Sequence, residues 1–200
     1  MLKRLIFAVL TAAFAATAPL AAHATQSDPA AARIETFDSA LLDTMKNAKS
    51  LGVQGRYRRM APAVEAAYDL PTMTRFAVGP AWDKFTPAQQ QQMIAAFTRL
   101  SVANYAHNFD GWSGESFVID GVQARGADKI VTTRMVRPNA APVSLIYRMR
   151  QAGGGWKIID VYYGAISQLT TRRSDFAGPA AKGAPSLIAH VNQLADNLMK

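Results

Sequence analysis

The chain contains 200 residues, no cysteine, and 22 basic against 14 acidic side chains, which give a formal net charge of +8. Its length suits a single domain with its own hydrophobic core, and the lack of cysteine excludes disulfide bonds, thiol catalysis and thiolate metal sites. A basic surface can meet nucleic acid, anionic lipid headgroups or an acidic protein, so the compartment in which the chain works decides among these partners.

The first 24 residues have the pattern of a secretory signal peptide. Lys3 and Arg4 are followed by an uncharged apolar run over residues 5–18 and by an Ala-His-Ala cleavage site at residues 22–24. The run is shorter than the roughly 20 residues that a membrane-spanning helix needs, which disfavours the alternative of an uncleaved anchor. We expect a single mature domain over residues 25–200 in an exported compartment, where nucleic acid is not a partner.

The first half of the chain has the apolar spacing of helices. Helices are predicted over residues 33–51, 56–68, 71–78 and 87–108. The strongest local pattern is Thr86-Pro87-Ala88-Gln89, in which Thr86 can cap the last of these helices and Gln89 can complete a capping box.

The apolar period then changes to that of strands. Four strands are predicted over residues 116–120, 129–137, 143–150 and 156–163, and the separators are Gly121, Pro138-Asn139 and Gly153-Gly154-Gly155. Short connections indicate an antiparallel meander, and two more helices are predicted over residues 167–176 and 186–198. The order predicts an α+β fold in which helices pack around a four-stranded antiparallel sheet.

Few residues have the arrangement of a catalytic or metal site. His107 and His190 lack a partner ligand at helical spacing, and no G-x-S-x-G motif is present, so neither a metal nor a cofactor is expected. Asp160 is unusual because it lies inside the last strand. It can either bond to neighbouring backbone and arginine groups or act as a general base.

Several motifs follow one another along the chain, namely FAVGPAW at 76–82, TPAQQ at 86–90, Phe97, Tyr105, PVSLIYRM at 142–149, GWKIIDV at 155–161 and SDF at 174–176. In this order they resemble the toluene-tolerance/MlaC family, which comprises periplasmic lipid-binding proteins of Gram-negative bacteria. The resemblance implies a cone-shaped fold, similar to nuclear transport factor 2, with an interior cavity. Residues 104–115 and 166–176 look closest to the hopanoid-biosynthesis-associated, HpnM-like branch.

What the resemblance implies is a carrier and not an enzyme. Members of the family move lipid between an outer-membrane complex and an inner-membrane ABC transporter with its substrate-binding membrane component. The cargo implied is a phospholipid or a hopanoid-type lipid, and we expect a periplasmic monomer. An apolar tail must be shielded while it passes through water, because hiding each CH₂ group from water is favourable by roughly 0.8 kcal/mol of transfer free energy.

We expect the lipid to lie in a pocket between the sheet and the long helix. The candidate lipid-binding residues are Phe76, Val78, Phe97, Leu100, Tyr105, Val131, Thr133, Met135, Val143, Leu145, Tyr147, Met149 and Val161. In the last strand either Ile158, together with Asp160, or Val161 faces inward. A filled core is the alternative use of the same apolar face.

Two other functions remain open. A cone-shaped domain can act as an isomerase or dehydratase if Asp160 and Tyr147 or Tyr162 converge in the cavity. A protein-binding accessory in hopanoid synthesis or export would instead have a filled interior.

The densest basic positions are candidates for docking to an acidic partner or to an anionic membrane face. These residues are Arg56, Arg58, Arg59, Arg172 and Arg173, and ordinary solvation of helix faces is the alternative role for them.

Overall fold

The computed structural model describes residues 28–200, so the predicted signal peptide and its cleavage site lie outside the described residues. The helices are α1 (Pro29–Lys46), α2 (Ala48–Ala67), α3 (Leu70–Val78), a 3-10 helix (Gly79–Lys84), α4 (Pro87–Asn108), α5 (Gln168–Ala181) and α6 (Ala184–Leu198). The strands are β1 (Ser116–Arg125), β2 (Asp128–Arg137), β3 (Ala140–Ala152), β4 (Gly155–Tyr163) and β5 (Ile166–Ser167). Within residues 28–200, every helix is too short or too polar to cross a bilayer.

The sheet is an antiparallel meander in the order β1-β2-β3-β4-β5. The predicted α+β class and the antiparallel sheet are therefore confirmed, but the predicted number of strands is wrong. The fifth strand has only two residues, Ile166 and Ser167, which pair with Tyr163 and Tyr162. A two-residue strand has no alternation for a sequence pattern to reveal. The likeness to nuclear transport factor 2 stays a prediction.

The N-terminal helices begin and end at different residues from those predicted. Helix α1 begins at Pro29, because Asp28 caps it by accepting a hydrogen bond of 2.9 Å from the amide of Ala30. The predicted helix over residues 33–51 is interrupted after Lys46, and Gly52 has a φ of 58° inside α2. That backbone conformation is outside the right-handed helical region and is easily reached only by glycine.

Helix α4 confirms the predicted capping box. The Thr86 hydroxyl accepts a hydrogen bond from the Gln89 amide at 3.3 Å, and the Gln89 side-chain oxygen accepts one from the Thr86 amide at 2.9 Å. These bonds satisfy amide groups that have no partner inside the helix. The helix then runs to Asn108, as predicted.

The sequence predicted that the first strand ends at Gly121, but in the structure the strand continues past this residue. The register of β1 against β2 shifts between Ile119 and Gly121, and the strand continues to Arg125. An extra residue in one strand forms a β-bulge, which increases the local twist without ending the pairing.

A second irregularity resolves the orientation of β4. Met149 pairs with Ile158 and Tyr147 pairs with Val161, so two residues of β4 lie opposite Arg148 alone. Because Tyr147 and Met149 share one face of β3, both Ile158 and Val161 point to that face. The prediction that only one of them faces inward is wrong, since it assumed an unbroken period of two.

The hydrophobic core lies between the inner face of the sheet and the helices. Val131, Met149 and Ile158 are fully buried there, as are Phe37 and Leu41 of α1. The core occupies the end of the sheet where β4 bridges Tyr68 at the end of α2. The opposite end of the same face is not filled.

Candidate functional site

The unfilled end of the sheet contains a cavity of about 440 Å³. The strand ends form one wall, the C-terminal half of α4 forms the opposite wall, and the first turns of α5 lie beside them. This volume is within the range typical of small-molecule sites, which bury apolar ligands against a few polar groups.

Eight of the predicted lipid-binding residues line this cavity. They are Phe97, Leu100 and Tyr105 on α4, and Met135, Val143, Leu145, Tyr147 and Val161 on the sheet. Their position follows from two periods, because residues spaced by three and four share a helix face and alternate residues share a sheet face.

Five predicted residues lie outside the cavity wall. Val131, Thr133 and Met149 are fully buried in packed structure, and the Thr133 hydroxyl donates to the Leu145 carbonyl at 2.9 Å. Val78 is buried in the core, whereas Phe76 is exposed on the surface beneath the guanidinium of Arg173. The alternation identified the inward face of the strands correctly but could not distinguish the filled end from the open end.

The floor of the cavity includes residues that the sequence did not single out. Leu41, Tyr68 and Met73 come from α1, the end of α2 and α3, and all three are buried. Tyr68 contacts β4 through a bridge to Ile158, which a local sequence pattern cannot predict. On α4 the spacing of Phe97, Leu100 and Tyr105 could have found Ser101, Asn104 and Asn108, which line the cavity on the same helix face.

Aromatic side chains pack against one another at the floor of the cavity. The ring of Phe37 meets Tyr68 and Tyr105 edge to face, with centroid distances of 5.5 and 5.1 Å, and Phe109 stacks on Tyr105 at 5.7 Å. The hydroxyls of Tyr68 and Tyr105 are hydrogen-bonded to each other. Burial raises the pKa of both phenols, so they are neutral at physiological pH.

A buried carboxyl group lies behind the aromatic floor. Asp38 of α1 is 5% exposed, and its Oδ1 has no hydrogen-bond partner within residues 28–200. Burial raises the pKa of Asp38 to about 7, because desolvation disfavours the charged form. The position follows Phe37 on a helix and was not predicted from the sequence, in which it reads as a polar residue on an exposed face.

The rim of the cavity is polar and basic. Arg137 at the end of β2 and Arg172 in α5 are half-buried in the wall, and Asn108, Tyr163 and Gln168 are exposed beside them. Arg172 was predicted as a docking residue, but the structure places it in the cavity wall. The cavity is thus apolar at its floor and positively charged at its opening.

A family model described as MlaC protein matches residues 35–195. The chain belongs to the MlaC family. Among solved structures, the fold of this MlaC-family chain is similar to a phospholipid-binding protein from Ralstonia solanacearum in complex with a phospholipid. The TM-score is 0.76 at 24% sequence identity, and the match covers 86% of this chain and 100% of that one. No curated protein matches the chain.

The proposed catalytic set does not converge in this MlaC-family cavity. The Oδ1 of Asp160 accepts hydrogen bonds from the amides of Val161 and Leu169 at 2.8 and 3.1 Å, and its Oδ2 accepts from the Ser167 hydroxyl at 2.7 Å. Asp160 therefore ties β4 to the start of α5, and it is not part of the cavity wall. It lies opposite Arg148, out of phase with Ile158, which corrects its predicted orientation.

Acidic and histidine side chains do not gather into a metal site anywhere in residues 28–200. The wall of the cavity offers amides, hydroxyls and guanidinium groups, none of which is a preferred ligand of Zn²⁺. Its chemistry suits an apolar molecule with a polar or anionic end.

The remaining predicted docking residues differ in accessibility. Arg56 is buried and donates to the carbonyls of Ala106 and Ala48 at 2.6 and 3.1 Å, so it joins α2 to the end of α4. Arg58 and Arg59 are exposed on the same helix, and Arg59 pairs with Asp43. Arg56 is therefore a structural residue, which corrects its prediction as part of a docking cluster.

Proposed function

We propose that this MlaC-family protein is a periplasmic carrier that holds a phospholipid with its acyl chains in the cavity. The observation that carries the proposal is the cavity of about 440 Å³ between the sheet and α4, apolar at its floor and polar at its rim. Hiding each CH₂ group from water contributes roughly 0.8 kcal/mol, so such a cavity can retain a lipid during passage through an aqueous compartment. The phospholipid in the similar Ralstonia solanacearum structure supports the same assignment.

In this proposal the protein exchanges lipid with an outer-membrane complex and an inner-membrane ABC transporter complex. A shuttle must leave its partners after each transfer, so polar contacts of modest area suit it better than a large apolar interface. Arg58 and Arg59 on α2 and Arg173 on α5 are exposed, which makes them candidate contacts with an acidic partner. Reversing Arg58 and Arg59 to glutamate should slow transfer between donor and acceptor membranes and leave the bound lipid unchanged.

A hopanoid is the second candidate cargo. The two segments that resemble the hopanoid-associated branch contribute directly to the cavity wall. Residues 104–115 supply Asn104, Tyr105, Asn108 and Phe109, and residues 166–176 supply Gln168, Leu169 and Arg172. Because these segments line the cavity, their resemblance to the hopanoid-associated branch supports a hopanoid as a candidate ligand.

The other two functions have less support. A protein-binding accessory predicts a filled interior, whereas a cavity of about 440 Å³ is present. An isomerase or dehydratase needs a carboxylate in the cavity, and no acidic side chain is part of the described cavity wall. These two observations favour the carrier.

Native mass spectrometry of protein purified from the periplasm tests the carrier proposal. The wild-type chain should carry a lipid, and Val143→Trp should lose it because the indole ring would occupy the cavity. Ser144→Trp is the matched control, since Ser144 is the next residue of β3 and is exposed on the opposite face. Recovery of the bare wild-type mass alone, under conditions that preserve lipid complexes, would contradict the proposal.

A further inference from the structure

Two arginines from different elements line the cavity. Arg137 belongs to the end of β2, where the hairpin to β3 begins, and Arg172 belongs to α5, one helical turn after Gln168. They are the two charged side chains in the described wall, and the other wall residues are apolar or neutral. The mouth of the cavity therefore has two positive charges and no negative charge of its own.

Neither arginine has a strong anionic partner within residues 28–200. Arg137 donates through Nε and Nη2 to the carbonyl of Ala141, at 3.1 and 2.6 Å, which leaves further N–H groups of the guanidinium free. Arg172 is 3.5 Å from Asp175, whose side chain is 48% exposed to water. That separation is long for a charge-assisted hydrogen bond, so Asp175 neutralises Arg172 only weakly.

Some arginines on the outer face of the sheet are paired more closely. Arg134, on the outer face of β2, binds both carboxylate oxygens of Asp120 at 2.8 and 2.9 Å, and Arg150 binds Asp128 at 2.6 Å. The sheet thus supplies carboxylates to these two arginines on its outer face and none to Arg137 at the cavity. The difference indicates that the anionic partner of Arg137 comes with the ligand.

We propose that Arg137 and Arg172 bind the phosphate group of the lipid at the mouth of the cavity, and that these two side chains make the protein select a phospholipid over a neutral lipid such as a hopanoid. Guanidinium groups match phosphate oxygens with paired N–H donors. Nearby low-dielectric walls strengthen the attraction for an anion at the opening. This inference rests on the proposed carrier function, because the apolar floor must hold the tails for the phosphate to lie at the rim.

Binding of two lipids with the same acyl chains tests the inference. The full chain is expressed, freed of lipid and mixed with phosphatidylglycerol or with diacylglycerol, which lacks the phosphate. We expect the wild type to prefer phosphatidylglycerol, and Arg137→Gln and Arg172→Gln each to weaken its binding about tenfold. Diacylglycerol binding by both variants should match that of the wild type, which also reports that the cavity is intact.

Arg134→Gln is the matched control, since it removes a charge three residues earlier on β2 from the face away from the cavity. It should bind both lipids as the wild type does. A third arm uses inorganic phosphate alone, and arginine-dependent binding of that ion without lipid would assign the arginines to free phosphate and overturn the headgroup site.

The remaining outcomes separate the inference from the carrier proposal. Wild-type binding of both lipids with equal affinity, unchanged in the two variants, would overturn the phosphate site and leave the carrier function standing. Loss of both lipids in the variants would also overturn it, because the arginines would then maintain the cavity itself. Failure of the wild type to bind either lipid would overturn the carrier function.

Discussion

The two ends of the inner sheet face have similar residues but opposite environments. At one end Val131, Met149 and Ile158 are fully buried under the helices. At the other end Met135 and Val143 are half-buried and line the cavity. Because the same strands supply both ends, the apolar character of a strand does not determine whether its side chains fill a core or bind a ligand.

What differs is the structure that covers each end. The closed end is covered by α1 and by Tyr68, whose backbone bridges Ile158 of β4. The open end is framed by the last turns of α4 and the first turns of α5, which line the cavity together with the strand ends. Packing at the closed end can stabilise the fold, so the open end is free to leave apolar side chains partly uncovered.

The largest expected effect comes from truncating a methionine at the closed end. Met149→Ala should lower the free energy of unfolding by about 2–5 kcal/mol, because the fully buried side chain leaves a void in packed structure. Met135→Ala, on the same sheet face, should cost about 1 kcal/mol or less and should weaken lipid binding instead, because its side chain already borders the cavity.

Urea denaturation of the two variants, freed of lipid, measures the difference in stability. A lipid-binding assay of the same variants measures the difference in lipid affinity. Equal losses of stability would contradict the division of the sheet into a filled and an open end. Ser144→Ala, on the exposed face of β3, should change neither quantity.

The second effect tests the boundary between the two ends, where Asp38 is buried behind the aromatic floor. The folded-state pKa of about 7 exceeds the ordinary 3.8, so the folded state holds the proton more tightly than the unfolded state does. The free energy of unfolding should therefore fall as pH rises from about 4 to about 7 and then stay level. Asp38→Asn should remove this decline and add up to about 4 kcal/mol at about pH 8.

The measurement is the free energy of unfolding of both proteins across this pH range. Glu35→Gln is the matched control, because Glu35 is exposed three residues earlier on α1 and its neutralisation should have little effect. A difference between wild type and Asp38→Asn that does not change with pH would contradict an Asp38 that is protonated by burial.

A third, smaller effect is expected where β4 joins α5 beside the cavity. Asp160→Asn should lower the free energy of unfolding by about 1–3 kcal/mol, because an amide can keep only part of the three hydrogen bonds that the carboxylate accepts. Thermal and urea denaturation measure this loss, with Asp110→Asn at an exposed position as the control. A variant that keeps full stability but loses a catalytic turnover would favour the enzyme instead of the carrier.

Local patterns predicted the elements more accurately than the site. The capping box at Thr86 and the strand over residues 143–150 depend on neighbouring residues, and both are present in the structure. The bulge in β4 and the two-residue β5 depend on pairing between strands, so the sequence pattern missed them. The cavity floor depends on contacts between side chains far apart in the sequence, which join Tyr68, Tyr105 and Phe37 of α1.

The predicted site residues divide in the same way. Period-two alternation selected Val143 and Met149 together, since both point inward. Their environments differ, because Met149 is fully buried in the core whereas Val143 lines the cavity. Charge counting selected Arg56 and Arg172 for docking, although one is buried between helices and the other borders the cavity. Residue type and spacing set the face of an element, whereas the environment of that face depends on the whole fold.

The smallest expected effect concerns the start of α4, the end of the helix that lies away from the cavity. Thr86→Ala should lower the free energy of unfolding by about 1 kcal/mol, because the amide at the helix start loses its hydroxyl partner. Lipid binding should stay at the wild-type level, since the cavity begins at Phe97, roughly three helical turns away. Thr36→Ala, at an exposed position inside α1, controls for loss of a surface hydroxyl, and weaker lipid binding by Thr86→Ala alone would mean that both ends of α4 shape the cavity.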